Sequence, residues 1–440
     1  GPLEAVVHCP RPVESCAVHP FRRGVNSRID GSSVHLDLGI EEPRYLIVLI
    51  DDHPPLLLLV DPVERDAPNR EAHNVLDLAR VVADHHSVEE RTAIIEEAFA
   101  KAAKDRRIAY VPPGLYEIGP IKIHRVDGLQ IYFAPGSQLR TEPSPAGKNI
   151  HSHGLWLQDS QNVRIWGRGC LDHQGWPNFA HGRNDYNHGL ISYAVTSTLC
   201  PFTTESPIYM LRCRNVAVEG FMIRNSRNMN LNVRRCDGVT LRRVKLVTPP
   251  ASTPEYGDGF HVNSSTDYLI ENCLAFCNDD CFASGHYTYF DDRDSGRHVI
   301  RGLVGWEPRA NAVRLGYYTY YNQGEFIFEN CDFAGMAASG IVIHPLNDAP
   351  EAHRFQRYGA VSFTSCGFDA DRISDALVDV MGVRMASLVF DNVVFSDRKP
   401  IRIHGHGDGA DGIPGLRLTG VTLAGKPLAP GDVDLQHTAN

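Results

Sequence analysis

The sequence predicts an all-β chain, a right-handed parallel β-helix (solenoid) preceded by a small N-terminal β-sandwich-like module. Three observations predict it. One strand-and-turn pattern returns ten times after about residue 127. Its apolar positions alternate with period two and favour β-branched and aromatic residues. Only one stretch of the 440 residues carries a clear helix signature.

The first ~65 residues hold the strand candidates "SSVHLDLG", "RYLIVLID" and "PLLLLVDP", separated by turn residues. They suggest the sandwich-like module, and the polar "VERDAPNREAHN" reads as a linker. The expected division is therefore 1–75 for module and linker and 76–440 for the β-helix domain. Ser87 stands three before Glu90, a capping-box pattern, and Ile94, Ile95, Ala98 and Ala102 follow at helical spacing. This helix, 87–104, should cover the open first coil, where unpaired strand edges need a lid.

The repeat then dictates the solenoid. Its anchor positions are Val216, Val239, Tyr268, His298, Phe326, Val361, Leu388 and Leu416, separated by 23, 29, 30, 28, 35, 27 and 28 residues. A short strand pattern returning at that interval buries its apolar side by stacking each coil on the next.

Composition narrows the function. The net charge is -10 with no basic block, which argues against a nucleic-acid partner. No apolar run approaches the ~20 residues of a membrane span. No signal peptide is visible, and the leading "GPL" is what a tag-removing protease can leave behind. Eleven scattered cysteines do not look like a disulfide framework and point weakly to a reducing compartment. Cys273, Cys277 and Cys281 fit no zinc spacing, so no metal and no cofactor is expected.

The stretch "EYGDGFHVNSSTDYLIENCLAFCNDDCFASGH" carries the chemistry. Asp258 precedes Asp279 by 21 residues, about one coil, so the two should face the same side. Asp280 can join them only where the strand bulges or turns, because strand neighbours point to opposite faces. Three converging carboxylates repel, which raises at least one pKa. One can then donate a proton while the others activate water, the division of labour that cleaves glycosidic bonds. The spacing alone leaves a calcium site or a solvated acidic turn open.

This stretch, with "VPPGLYEIGPIKI" and "DGLQIYFAPGSQLR", resembles the polygalacturonase family of glycoside hydrolases over roughly residues 108–425. The related dextranase and isopullulanase family shares the fold and acids and also has a β-sandwich ahead of the β-helix. The resemblance implies that Asp279 is the general acid, that Asp258 and Asp280 are the bases, and that the anomeric carbon inverts. It also implies secretion, against the cytoplasmic reading of the cysteines. The sequence departs from the polygalacturonase pattern twice. Asn311, in "RANAVRLG", stands near the place of a histidine. Val342 and His344, in "GIVIHP", replace an Arg and a Lys that hold a substrate carboxylate. A neutral α-glucan such as dextran is therefore expected ahead of a pectic galacturonide, with Arg309 and Arg314 as partial replacements.

Other substrate-binding candidates are His261, His286, Asn228, Asn230, Tyr317, Tyr318 and Trp176. Exposed aromatics stack against sugar faces, and Asn228 and Asn230 at spacing two could both face a cleft. Alternation places His261 opposite Asp258, so it divides between substrate contact and structure. Tyr287, Tyr289, Trp306, Tyr320 and Tyr321 add to the aromatic density, with Trp306 and Phe328 read as stacked core rings. The partner expected is thus a poly- or oligosaccharide, with the oligomeric state open. Two rivals remain: a calcium-dependent lyase on the same fold, and a non-catalytic carbohydrate-binding β-helix.

Overall fold

The computed structural model describes residues 3–39, 43–82, 86–142, 153–174, 206–226, 228–248, 257–285, 293–306, 309–316, 321–344, 357–406 and 413–438. From Val75 onward the chain winds into the right-handed parallel β-helix. A 12-stranded sheet forms one face. A 22-stranded sheet wraps the other two, and both are built from strands paired with their counterparts one coil away.

All eight anchor positions read from the sequence lie in register. Val216 pairs with Val239, then Tyr268, His298, Phe326, Val361, Leu388 and Leu416. The interior is a continuous apolar column that includes flat stacks such as Phe328 on Phe363 and Phe363 on Phe390. Coils turn a corner through one left-handed residue each, including Asn272, Gly302, Asn330 and Asn392, with φ of 53°, 64°, 53° and 54°. Asn and Gly adopt that conformation at least cost. At Gly302 a Cβ would also sit 2.3 Å from Asn272 Oδ1, so a larger residue would push that side chain aside.

The helix forms at Val88–Lys104, and Ser87 and Glu90 close the capping box. Ile95, Phe99 and Ala102 are fully or nearly fully buried and complete the core above the first coils.

The N-terminal segment forms two three-stranded antiparallel sheets. One has the order Glu4–His8, Ser33–Asp37, Asn26–Asp30, and the other Cys16–His19, Arg44–Ile50, Leu56–Val60. Val34, Leu36, Leu46 and Val48 fill the space between them. The outer strands escaped the sequence reading because Asn26–Asp30 is exposed and polar and Glu4–His8 offers only the short apolar stretch Ala5–Val7. The opposite face of Arg44–Ile50 packs Tyr45 and Ile47 onto Leu274, Phe276, Val304 and Trp306 of the 12-stranded sheet. That strand is covered on both sides, which explains its unbroken "YLIV". Polar contacts reinforce the seam: His19 Nδ1 lies 2.8 Å from Asp369 Oδ2, and Arg22 and Arg23 both reach the buried Asp332. The expected linker is fastened too. Tyr132 donates to Glu64, and Arg164 pairs with Asp66.

Candidate active site

The site lies on the sheet that carries strands Leu231–Arg234, Phe260–Asn263, Phe282–Ser284 and Asn311–Leu315. Phe260 pairs with Phe282, an offset of 22. Asp258 therefore stacks on Asp280, and not on Asp279 as the 21-residue spacing suggested. Two backbone bonds, Gly259 N–H to Asp280 O and Phe260 N–H to Cys281 O, carry that register down to the acids. Asp279 and Asp280 lie between strands, in the bend from Phe276 to Phe282, so strand alternation does not separate them. Asp279 Oδ1 accepts the Asp280 N–H at 3.0 Å. One oxygen from each of the three carboxylates lies within 4.8 Å of the other two.

Asp258 and Asp280 are 4% and 5% exposed, and Asp279 is half-buried. Burial, and then the neighbouring Asp258, push the Asp280 carboxyl up to about 7. Asn311 opposes this. Its backbone N–H and Nδ2 both donate to Asp280 Oδ1, at 3.1 and 2.8 Å. Asn311 thus sits in register with the acids, one coil on, and grips one of them. Arg314 acts in the same direction, as a positive charge within electrostatic reach of Asp280.

The structure corrects two further expectations. His261 does not point away from Asp258: its Nδ1 lies 2.6 Å from Asp258 Oδ2, and its Nε2 lies 3.2 Å from Asn263 Oδ1. Asp258 precedes the strand start at Phe260, so alternation does not apply between the two. Asn230 does not reach into a cleft. It is fully buried and donates to the backbone oxygens of Gly257 and Asp258, fixing the acid's backbone, while Thr248 donates to its Oδ1 at 2.6 Å. Asn228 is half-buried, and its Oδ1 accepts the Met229 N–H.

Arg314 is half-buried between Ala283 and Val342 in register, both small or apolar. Arg309 is exposed two residues before Asn311, and His344 is half-buried beside Leu315, whose oxygen accepts its backbone N–H. Trp306 lies on the 12-stranded sheet in register with Phe276, and its ring packs beneath the N-terminal module. Trp176, His286, Tyr317 and Tyr318 fall outside the described residues. Asn263 was missed by sequence reading. It fixes the second nitrogen of His261, and its own Oδ1 accepts the Gly285 N–H. Its only sequence signal is its place on the same strand, two residues after His261.

Among the described residues, this acidic trio is also the group close enough to hold a divalent cation. The cysteines Cys273, Cys277 and Cys281 are buried free thiols inside the core.

A carboxylate cluster on a parallel β-helix, with one carboxyl pushed up to about 7, is equipped for acid-base chemistry. Comparison with known proteins gives this class a narrower address. Residues 128–290 match the model of glycosyl hydrolases family 28, a segment that contains all three acids. An exopolygalacturonase of Zea mays is 25% identical over 217 residues, 48% of this chain and 48% of the maize protein. A polygalacturonase of Arabidopsis thaliana is 23% identical over 156 residues, 35% of this chain and 32% of its own. The match thus spans about a third to a half of these relatives' lengths. A crystal structure of an exopolygalacturonase from Thermotoga maritima superposes with a TM-score of 0.52 at 14% identity, covering 83% of this chain and 92% of that one, which supports the fold.

Proposed function

We propose that the protein is an inverting glycoside hydrolase of the polygalacturonase type, acting on a pectic galacturonide. The observation that carries this is the convergence of Asp258, Asp279 and Asp280 with one carboxyl held near pH 7. A group that titrates near the working pH can both hold and release a proton. In the proposed reaction Asp279 protonates the leaving glycosidic oxygen, a role taken from the resemblance, while Asp258 orients the attacking water and Asp280, the carboxyl near 7, takes its proton.

The order of substrates expected from sequence is reversed. The similarity to polygalacturonases gives the neutral α-glucan no support and favours the galacturonide. The loss of the Arg and Lys at Val342 and His344 is offset by Arg314, a cation one coil earlier on the same row. A guanidinium there suits a carboxylate ligand.

The nearest carboxylate oxygens, within 4.8 Å, are closer than the ~6.5–9.5 Å usual between the acid and base of inverting sites. Inversion is consistent with this only if two carboxylates share one water. The test is reducing-sugar release from polygalacturonate, rhamnogalacturonan, dextran and pullulan, followed by proton NMR of the first product. Cleavage of polygalacturonate with initial release of the inverted anomer is expected. Cleavage of dextran alone would overturn the substrate reading, and a retained anomer would overturn the mechanism.

A further inference from the structure

His261 is fully buried, so whatever it does for the reaction it does through the residues it touches. Asn232 and Ala283 flank it in register, one coil to either side. Its two ring nitrogens meet different partners, and their hydrogens can be counted. The Gly285 N–H approaches Asn263 Oδ1 at 3.1 Å, which makes this atom the acceptor of the amide. His261 Nε2 lies 3.2 Å from the same oxygen, so Nε2 must donate to it and carries a hydrogen. On the other side of the ring, Nδ1 lies 2.6 Å from Asp258 Oδ2. A bare imidazole nitrogen and a carboxylate oxygen are both acceptors. One further proton therefore lies between these two atoms, on whichever of them it is counted. Among the described residues, no second donor reaches the Asp258 carboxylate. The stacked partner is held differently. Asp280 Oδ1 accepts two amide hydrogens from Asn311, which hold the carboxyl in place and are not given up.

We propose that His261 is a positioning residue that divides the work of the two stacked acids. By sharing a proton with Oδ2 it fixes the Asp258 carboxyl with Oδ1 turned to the attacking water, and it keeps Asp258 from taking that water's proton. Asp258 then orients the water, and Asp280 is left to deprotonate it. Asn263 is the anchor of the arrangement, because its oxygen holds the ring by the opposite nitrogen. The proposal rests on the inverting-hydrolase reading of the site. In each turnover one glycosidic C–O bond breaks, and the water oxygen forms the new bond to the anomeric carbon. The leaving oxygen takes the proton of Asp279, and Asp280 takes one proton from the water. The proton between Asp258 and His261 stays in place throughout.

The test compares the full-length wild type with His261→Asn and His261→Leu. Asparagine sets an amide N–H where Nδ1 stood, whereas leucine fills the space without a donor. On polygalacturonate, His261→Leu should lower kcat about 10²-fold, and KM should stay within about threefold because the ring does not meet the sugar. His261→Asn should recover at least about tenfold of that loss. Equal kcat in the two variants would overturn the positioning role and leave packing as the task of the ring. A raised KM at unchanged kcat would overturn it by making His261 a sugar contact. Proton NMR of the same proteins needs no turnover. The shared proton should resonate far downfield of the amides in the wild type and vanish in His261→Asn. His19 Nδ1, 2.8 Å from Asp369 Oδ2, should give a second such resonance that stays as a reference. Absence of the His261 resonance from the wild type would overturn the shared proton. If His261→Leu does not fold, this resonance and the kcat of His261→Asn decide instead: an unchanged kcat overturns the proposal. If the wild type cuts no polygalacturonate, the substrate reading falls, while the resonance still decides the proton.

Discussion

Two faces of the same solenoid place one charged residue per coil in register, and they use it in opposite ways. On the face that carries the anchor strands, Glu219, Arg242, Glu271, Arg301 and Glu329 stack in that order. The signs alternate, and each residue pairs with the next. Arg242 reaches Glu271 at 2.8 Å and Glu219 at 3.4 Å, and Arg301 reaches Glu329 at 2.8 Å and Glu271 at 3.5 Å. On the site face, Asp258 stacks directly on Asp280 with the same sign. The first arrangement satisfies every charge. The second buries two like charges side by side, and burial together with Asp258 pushes the Asp280 carboxyl up to about 7, which costs stability. Local rules broken at one location, amid a scaffold that obeys them, mark a functional site.

Four experiments break or sharpen this contrast. The largest expected effect is at Asp279. Asp279→Asn should lower kcat by roughly 10²–10⁴ with the fold intact, the usual contribution of a positioned general acid; circular dichroism and turnover on one preparation check both. An active Asp279→Asn variant would move the acid role to Asp280.

Next comes stability against pH. The Asp280 carboxyl titrates near 7 when folded, against an ordinary value of 3.8. The folded state therefore holds the proton more tightly, so stability falls as pH rises from about 4 to about 7 and is flat above. The gap of about 3 pH units corresponds to ~4 kcal/mol at most. Asp280→Asn should be inactive yet melt higher than wild type at pH 8, with the gain vanishing near pH 4. A variant that melts lower at every pH would show that the like-charge stack carries no such cost.

The ladder should give smaller numbers. Glu271→Gln removes a carboxylate that serves two half-exposed arginines, so the loss should be about 1 kcal/mol or less, shrinking as salt rises. Activity should stay within twofold. A large loss of turnover would tie the two faces together. The smallest effect expected is from chelation. The trio could bind a divalent cation, but the proposed chemistry uses none, so excess EDTA should leave the rate unchanged. Loss of activity restored by calcium would favour the lyase reading.

The fold was legible because its signals are local or periodic. The capping box from Ser87 to Glu90 is four residues long, and the anchors repeat at nearly every coil. The acids were legible as a set but not as pairs. Whether Asp258 meets Asp279 or Asp280 depends on a one-residue register decided by strands Phe260–Asn263 and Phe282–Ser284. His261 and Asn230 were misplaced for a related reason. Both act beside residues that lie outside the strands, where alternation says nothing. The seam under Tyr45 and Ile47 was hidden altogether, because a strand covered on both faces reads like any apolar run.

The coil between Phe260 and Phe282 takes 22 residues, whereas the neighbouring coils on the same sheet take 29 before it and 31 after it. It carries almost nothing beyond its strands and corners. Insertions and deletions therefore have different meanings along this chain. In the longer coils there is length beyond the paired strands to absorb them. Between Asp258 and Asp280 a single added residue slides one acid out of line with the other. The separation of these two carboxylates is thus written in the chain as a fixed count of peptide units.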